Sequence, residues 1–471
     1  MQDNSYLLGM VGLGTMGRNL LLNMADHGFK VAGYDKDPVK VSMLGKEAVK
    51  GDVKGFTSLK EFVDNLQKPR AVMLLVPAGK IVDSAIAEIA PLLDAGDLII
   101  DGGNSHFTDT NRRAEELKSK GLHFFGMGVS GGEEGARKGP SMMPGGNPDA
   151  YKVVQPIFEA IAAKVKGDPC VTYIGPGSAG HFVKMVHNGI EYGLMQLLAE
   201  TYEVMQKGLE LPGDKIHSTF RQWNEGRLQS FLVEITRDIF AFKEPGADHL
   251  LLNDIKDEAR SKGTGKWTSQ VAMDLQLPIP TIDTAVSMRD LSKYKKLRTD
   301  ASALYKSGSL KLNVDEAQFI QSLEQALYFS TVIAYAQGMH LLSQASAEYG
   351  YNLKMDEIAL IWRGGCIIRS TFLEDIYQAY KKSTTLPHLL LDAGIAQKVN
   401  GALAGMRTVV SAATAAGIAI PAYTASLSYF DAFRSERMPL NLIQAQRDYF
   451  GAHTYELIGK EGVFHTQWFA K

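Results

Sequence analysis

Tyr6-Leu7-Leu8-Gly9-Met10-Val11-Gly12-Leu13-Gly14-Thr15-Met16-Gly17 is the stretch that decides the fold. An apolar run that reads as a strand stops at a glycine-rich turn, and a helical pattern follows to about His27. In that setting Gly12 permits a tight turn, Gly14 lets the backbone approach a pyrophosphate, and Gly17 allows the helix to pack closely. The free N–H groups at the helix start then face the phosphate charge. A plain glycine-rich turn is the alternative, and the flanking strand and helix weigh against it.

The next apolar run, residues 30–34, leads into Gly33-Tyr34-Asp35-Lys36-Asp37. Asp35 stands 18 residues after Gly17, where an acidic side chain accepts hydrogen bonds from the adenosine ribose hydroxyls. That arrangement suits NAD. A 2′-phosphate would sit beside Asp35, with Asp37 close by and only Lys36 as an offsetting charge. Asp37, just before Pro38, reads better as a helix cap. Further strand-like runs at residues 71–76, 97–100 and 124–127 alternate with helical patterns. The alternation predicts an α/β, Rossmann-type domain over residues 1–177, a parallel sheet covered by helices.

Beyond Ser178 the pattern changes. Residues 179–207 and 314–348 show helical spacing with few β-branched runs, which predicts a large all-helical domain over 178–436. The join falls at Ile174-Gly175-Pro176-Gly177, with Ser178 offering a helix N-cap. Residues 401–421, rich in alanine and broken by Arg407, read as a buried helix. Residues 437–471, with Pro439, Trp468 and Phe469, read as a tail that frays or docks. No strict internal repeat or low-complexity tract is visible.

A chain of 471 residues has room for two or three domains. Its hydrophobic share of 45%, charged share of 22% and net charge of -2 show no bias toward nucleic acid, so an anionic ligand must meet a local positive patch. Cys170 and Cys366 are too few for a disulfide framework and lack zinc-site spacing, which points to a reducing, cytoplasmic setting. No basic leader precedes the first apolar run, and no stretch offers about 18 uninterrupted apolar residues for a membrane span. No metal-ligand cluster is evident either.

In Gly180-His181-Phe182-Val183-Lys184-Met185-Val186-His187-Asn188-Gly189-Ile190-Glu191-Tyr192, Lys184, Asn188 and Glu191 share one helical face, and His187 borders it. Lys184 and Glu191 have Cα atoms about 10.5 Å apart along a helix, enough for a small sugar acid to lie between them. Most charged helix residues merely face solvent. Here the position directly after the dinucleotide domain shifts the balance. So do the polar, glycine-rich strand ends Asp101-Gly102-Gly103-Asn104-Ser105 and Val129-Ser130-Gly131-Gly132, because ligands of open α/β sheets collect in that crevice.

Taken together, residues 12–17, 101–105, 130–134, 180–192, 261–268 and 444–453 resemble the signatures of 6-phosphogluconate dehydrogenases, and the likeness extends over essentially the whole chain. The resemblance implies oxidative decarboxylation of 6-phosphogluconate to ribulose 5-phosphate, with Lys184 as general base and Glu191 as general acid. An unperturbed lysine is only roughly one part in a few thousand neutral at pH 7, so burial or a neighbouring positive charge must depress its pKa. The resemblance further implies that Asn104, Ser130, Gly131, Gly132, His187 and Asn188 position hydroxyls and carboxylate. Tyr192, Lys262, Arg289, Arg447 and His453 would hold the phosphate. Arg447 and His453 lie in the tail, which by resemblance enters the partner's site in a homodimer. The cofactor would lie along Gly12, Leu13, Gly14, Thr15, Met16, Gly17, Asp35, Lys36 and Asp37, and along Val76, Pro77, Ala78 and Asn104.

At the adenosine end the chain departs from the family. Most members resemble NADP enzymes with Asn-Arg-Thr at the positions of Asp35, Lys36 and Asp37, and with lysine at Pro77. The resemblance implies NADP, whereas the residues themselves favour NAD or dual use. A shorter β-hydroxyacid dehydrogenase would share the first domain and the lysine but not the long helical part. An inactive nucleotide-binding sensor would have no use for Lys184, Asn188 and Glu191 together.

Overall fold

The computed structural model describes residues 5–306 and 308–469. Seven strands form one sheet: β1 (Leu8–Val11), β2 (Val31–Tyr34), β3 (Val53–Phe56), β4 (Ala71–Leu74), β5 (Leu98–Asp101), β6 (His123–Ser130) and β7 (Ser141–Gly146). They lie in the order β3-β2-β1-β4-β5-β6-β7. β1, β2, β4 and β5 are buried along their whole length, as strands covered by helices on both faces should be. The chain runs outward from β1 to β3, then returns to place β4 on the other side of β1. The crevice therefore opens at the carboxyl ends of β1 and β4, where the connections diverge.

Two strands of this sheet escaped the sequence reading, as did the small hairpin strands at Lys164–Val165, Asp168–Pro169, Tyr455–Leu457 and Lys460–Phe464, and the seven-stranded sheet is not wholly parallel. β3 is a partly exposed edge strand carrying Lys54 and Gly55, too weakly patterned to stand out. β7 pairs antiparallel with β6 and contains Pro144 and two glycines, which read as turn residues. Proline is tolerated there because β7 is the last strand of the sheet.

After Gly177, at φ +57°, the chain turns into the Ala179–Glu203 helix. Ser178 precedes that helix but does not cap it with its side chain; its hydroxyl lies 2.8 Å from that of Tyr351. Asp37, by contrast, accepts the N–H of Val39 at 2.9 Å and caps the Pro38–Glu47 helix. Residues 401–421 are not one buried helix. The Ala393–Ala415 helix buries only Ile395, Val399, Ala402, Gly405, Met406, Val409 and Ala413 along one stripe, and a second helix starts at Pro421. Arg407 lies off that stripe and pairs with Asp431 at 2.7 Å.

The helical part is centred on the Ala179–Glu203 and Glu316–Glu348 helices, which pack together through Val186, Ile190, Leu197 and Val332 among others. Each fully buried leucine, isoleucine or valine contributes about 1.5–3 kcal/mol. The two helices also supply matching caps. Glu200 accepts the N–H groups of Ala422 and Tyr423 at the start of the Pro421–Phe433 helix. Gln337 accepts that of Thr281 at the start of the Pro280–Ser292 helix. Both capped helices have 13 residues and begin with proline after a non-helical isoleucine, Ile420 and Ile279. No helix among the described residues is long and apolar enough to cross a membrane.

Candidate active site

The turn after β1 has the geometry that a pyrophosphate requires. Gly12 lies at φ +96°, and a Cβ there would stand 2.6 Å from the Leu75 carbonyl oxygen. A Cβ on Gly17 would fall 1.9 Å from the Gly12 oxygen, so the helix rests on the turn itself. Gly14 faces open space, and the Thr15–Asp26 helix behind it has no side-chain cap, leaving its first N–H groups free for an anion. From that turn a cleft of about 980 Å³ runs past Tyr34, Asp35 and Lys36 on one side and Val76 and Pro77 on the other.

Asp35 braces the turn as well as facing the cleft. Its carboxylate accepts the N–H groups of Leu13 and Asp37, each at 2.9 Å. Lys36 is not the only cation beside it. Lys40 lies 3.4 Å from Asp35, while Lys36 itself pairs with Glu88 at 2.7 Å.

Asn104 is exposed on a turn held from below by Asp101, which is fully buried. Asp101 accepts the Gly103 N–H at 3.0 Å and the Ser105 hydroxyl at 2.6 Å, and it meets buried Arg113 at 3.3 Å. Arg113 also donates to the Gly79 carbonyl at 3.0 Å. It thus ties the Val76–Pro77–Ala78–Gly79 turn to the Asn104 turn.

The Ala179–Glu203 helix lies directly against β6. A Cβ on Gly128 would stand 2.4 Å from Cβ of Lys184, so a glycine in the strand is what admits this helix. Lys184 and His187 are buried, and Glu191 keeps 20% of its side-chain exposure. Burial pushes the Lys184 pKa down, against the upward pull of Glu191. Burial pushes the Glu191 pKa up, against Lys184 and Arg289. Both groups are thereby moved toward their uncharged forms.

A hydrogen-bond chain fixes the imidazole between them. The Asn188 amide nitrogen donates to the Thr264 hydroxyl at 3.2 Å, which leaves the amide oxygen facing His187. His187 Nδ1 donates to that oxygen at 3.0 Å, so Nε2 is the acceptor and the Ser130 hydroxyl donates to it at 3.3 Å. Burial, then the Lys184 charge, holds the His187 pKa well below its ordinary range. Lys184 Nζ lies 3.4 Å from Nδ1, and the Trp362 ring meets the imidazole edge to face.

Gly131, at φ +121°, follows Ser130, and a Cβ there would meet the Gly365 carbonyl at 2.6 Å; Gly132 beside it is open. One residue beyond Glu191, near the middle of the helix, the ring of Tyr192 carries the guanidinium of Arg289 stacked at 3.4 Å. Lys262 is exposed just before the Thr264–Asp274 helix. Arg447 and His453 are exposed and make their contacts within the tail, with Gln444 and Phe450 respectively.

Three neighbours of the cluster were not candidates. Thr264 lies within the 261–268 signature but carries no chemical mark of its own. Trp362 ends the Met355–Trp362 helix and Cys366 lies in the bend after it, a distant segment that no spacing connects to residue 187. Cys366 is buried, its thiol pushed up to about 12 by that burial. The described residues contain no group of three or more His, Cys, Asp or Glu side chains able to hold a metal ion.

Comparison with known proteins gives consistent matches. The model for the NAD binding domain of 6-phosphogluconate dehydrogenase matches residues 7–175, and that for the 6-phosphogluconate dehydrogenase C-terminal domain matches residues 180–468. The NADP(+)-dependent, decarboxylating 6-phosphogluconate dehydrogenase of Bacillus subtilis is 48% identical, over 98% of each chain. A decarboxylating 6-phosphogluconate dehydrogenase of Saccharomyces cerevisiae is 50% identical, over 96% of this chain and 92% of the yeast one. The Plasmodium falciparum 6-phosphogluconate dehydrogenase, solved in apo form and with NADP+ and 6-phosphogluconate, superposes with a TM-score of 0.95 at 45% identity. That match covers 98% of this chain and 100% of the other.

Proposed function

The chain belongs to the 6-phosphogluconate dehydrogenase family, and on that premise we propose that Lys184 and Glu191 are the acid–base pair of its reaction. The enzyme oxidises 6-phosphogluconate with loss of carbon dioxide, leaving ribulose 5-phosphate and a reduced nicotinamide cofactor. The observation that carries the assignment of roles is the opposed pKa displacement of buried Lys184 and half-buried Glu191 on one helix, with a neutral imidazole between them.

The nicotinamide ring, when bound, accepts the hydride from carbon 3; NADP is the form named for the Bacillus and Plasmodium relatives. Gly12, Leu13, Gly14, Thr15, Met16 and Gly17 would hold the pyrophosphate. Asp35, Lys36 and Asp37 would face the adenosine ribose, and Val76, Pro77, Ala78 and Asn104 would flank the rest. Neutral Lys184 takes the carbon 3 hydroxyl proton. The resulting β-keto acid loses carbon dioxide as the carbonyl takes up the electrons, and protonated Lys184 returns its proton to that oxygen. Glu191, whose pKa burial raises, then delivers a proton to carbon 1.

Asn104, Ser130, Gly131, Gly132, His187 and Asn188 orient the carboxylate and hydroxyls. Tyr192, Lys262 and Arg289 take the phosphate, with Arg447 and His453 arriving from the tail of a second copy. Large apolar side chains left exposed on the tail, Phe450, Ile458 and Phe469 among them, support such docking in a homodimer. A solution assay of 6-phosphogluconate oxidation, with product identified as ribulose 5-phosphate and carbon dioxide, tests the reading. Absence of reduction with both NAD and NADP overturns it.

A further inference from the structure

We propose that Glu88, together with Asp35, makes the nucleotide cleft select NAD over NADP. The proposal rests on reading that cleft as the dinucleotide site. Its charged lining consists of Asp35, Lys36, Lys40 and Glu88, and no arginine is among the described residues that line it.

Asp35 directly follows β2 with only 11% of its side chain exposed, each oxygen already accepting one backbone N–H. Its remaining lone pairs suit ribose hydroxyls, which donate. A 2′-phosphate dianion has nothing to donate and would meet a fixed carboxylate. Rescue would need a free cation, and both ammonium groups are already answered: Lys40 lies 3.4 Å from Asp35, and Lys36 lies 2.7 Å from Glu88.

Glu88 sits on the Lys80–Ile89 helix, 52 positions from Lys36, so it reaches the ribose end of the cleft only through the fold. The Lys36–Glu88 pair is exposed, with 70% and 44% of the side chains open, and such pairs separate easily. Its hydrogen bond is therefore not the discriminating element. If Lys36 swung toward a 2′-phosphate, the Glu88 charge would stay behind beside it, unpaired. The Lys36–Glu88 couple thus adds no net positive charge at the ribose end of the cleft in either position. Pro77, on the facing wall, contributes no N–H.

The test measures kcat/KM for NAD and for NADP on the full-length enzyme with saturating 6-phosphogluconate, and dissociation constants for NADH and NADPH by fluorescence. The expected result is a preference for NAD of about tenfold or more at low ionic strength, narrowing as salt screens the carboxylates. Glu88→Gln should move the ratio toward NADP by about three- to tenfold, and Asp35→Asn should move it further. A wild-type preference for NADP, or a Glu88→Gln ratio equal to that of wild type, overturns the proposal. If neither cofactor is reduced, the catalytic reading fails instead, and the NADH and NADPH dissociation constants still decide the selectivity.

Discussion

The Glu200 carboxylate lies against the start of the Pro421–Phe433 helix, accepting the Ala422 N–H at 2.8 and 3.1 Å and the Tyr423 N–H at 3.0 Å. Burial outweighs those bonds and raises its pKa from 4.5 to about 7. A carboxyl whose folded pKa is raised gives stability that is complete below pH 4.5 and lost as pH climbs through 7. The shift corresponds to about 3 kcal/mol. Glu200→Gln, which copies what Gln337 does for the other helix, should flatten that slope. Chemical denaturation at pH 5 and pH 8 checks it; an unchanged slope would assign the pH dependence elsewhere.

Lys184→Met should reduce kcat by a factor of about 10² to 10⁴ while cofactor affinity is retained. In the wild type, activity should rise with pH as Lys184 loses its proton, below the ordinary lysine range. It should fall again as Glu191 ionises, above the ordinary carboxyl range. Glu191→Gln removes the alkaline fall. It also removes the carboxylate that raises the Lys184 pKa, so the acidic limb should move to lower pH. Initial rates across the pH range read both effects, and undiminished turnover by Lys184→Met refutes the assigned base.

Asn188→Asp tests the chain that sets the His187 tautomer. A second carboxylate beside His187, close to Lys184, favours the protonated lysine and raises its pKa. The acidic limb of kcat/KM should then shift upward by about one unit or more, lowering the rate at neutral pH. A profile lowered uniformly without displacement would mean that Asn188 acts only by contact.

Parts of this site are legible in sequence because they rest on local geometry. Gly12 takes a positive φ and Gly17 rests on the Gly12 carbonyl, both within six residues, and Asp37 before Pro38 is a local cap. The shared face of Lys184, Asn188 and Glu191 follows from helical period alone. What escapes is whatever the tertiary fold brings together. Glu88 beside Lys36, Thr264 beside Asn188 and Trp362 over His187 join segments 52, 76 and 175 positions apart by number, and no spacing rule reaches that far. β7 was hidden because Pro144 signals a turn unless its edge position is known.

Phe450, Ile458 and Phe469 are 73%, 87% and 75% exposed, and Arg447 and His453 are exposed on the same tail. If that tail completes the site of a second copy, Lys184 and Arg447 serving one substrate come from different chains. Lys184→Met and Arg447→Ala homodimers should then both be impaired, the first in kcat and the second in KM for 6-phosphogluconate. Unfolding the two together and refolding them at equal concentration produces mixed dimers as about half of the population. Each mixed dimer holds one site with both residues intact, contributed by the Arg447→Ala chain's Lys184 and the other chain's tail. Activity should recover to about a quarter of wild type at low substrate concentration. Were both residues to act within one chain, mixing would restore nothing beyond the average of the two parents.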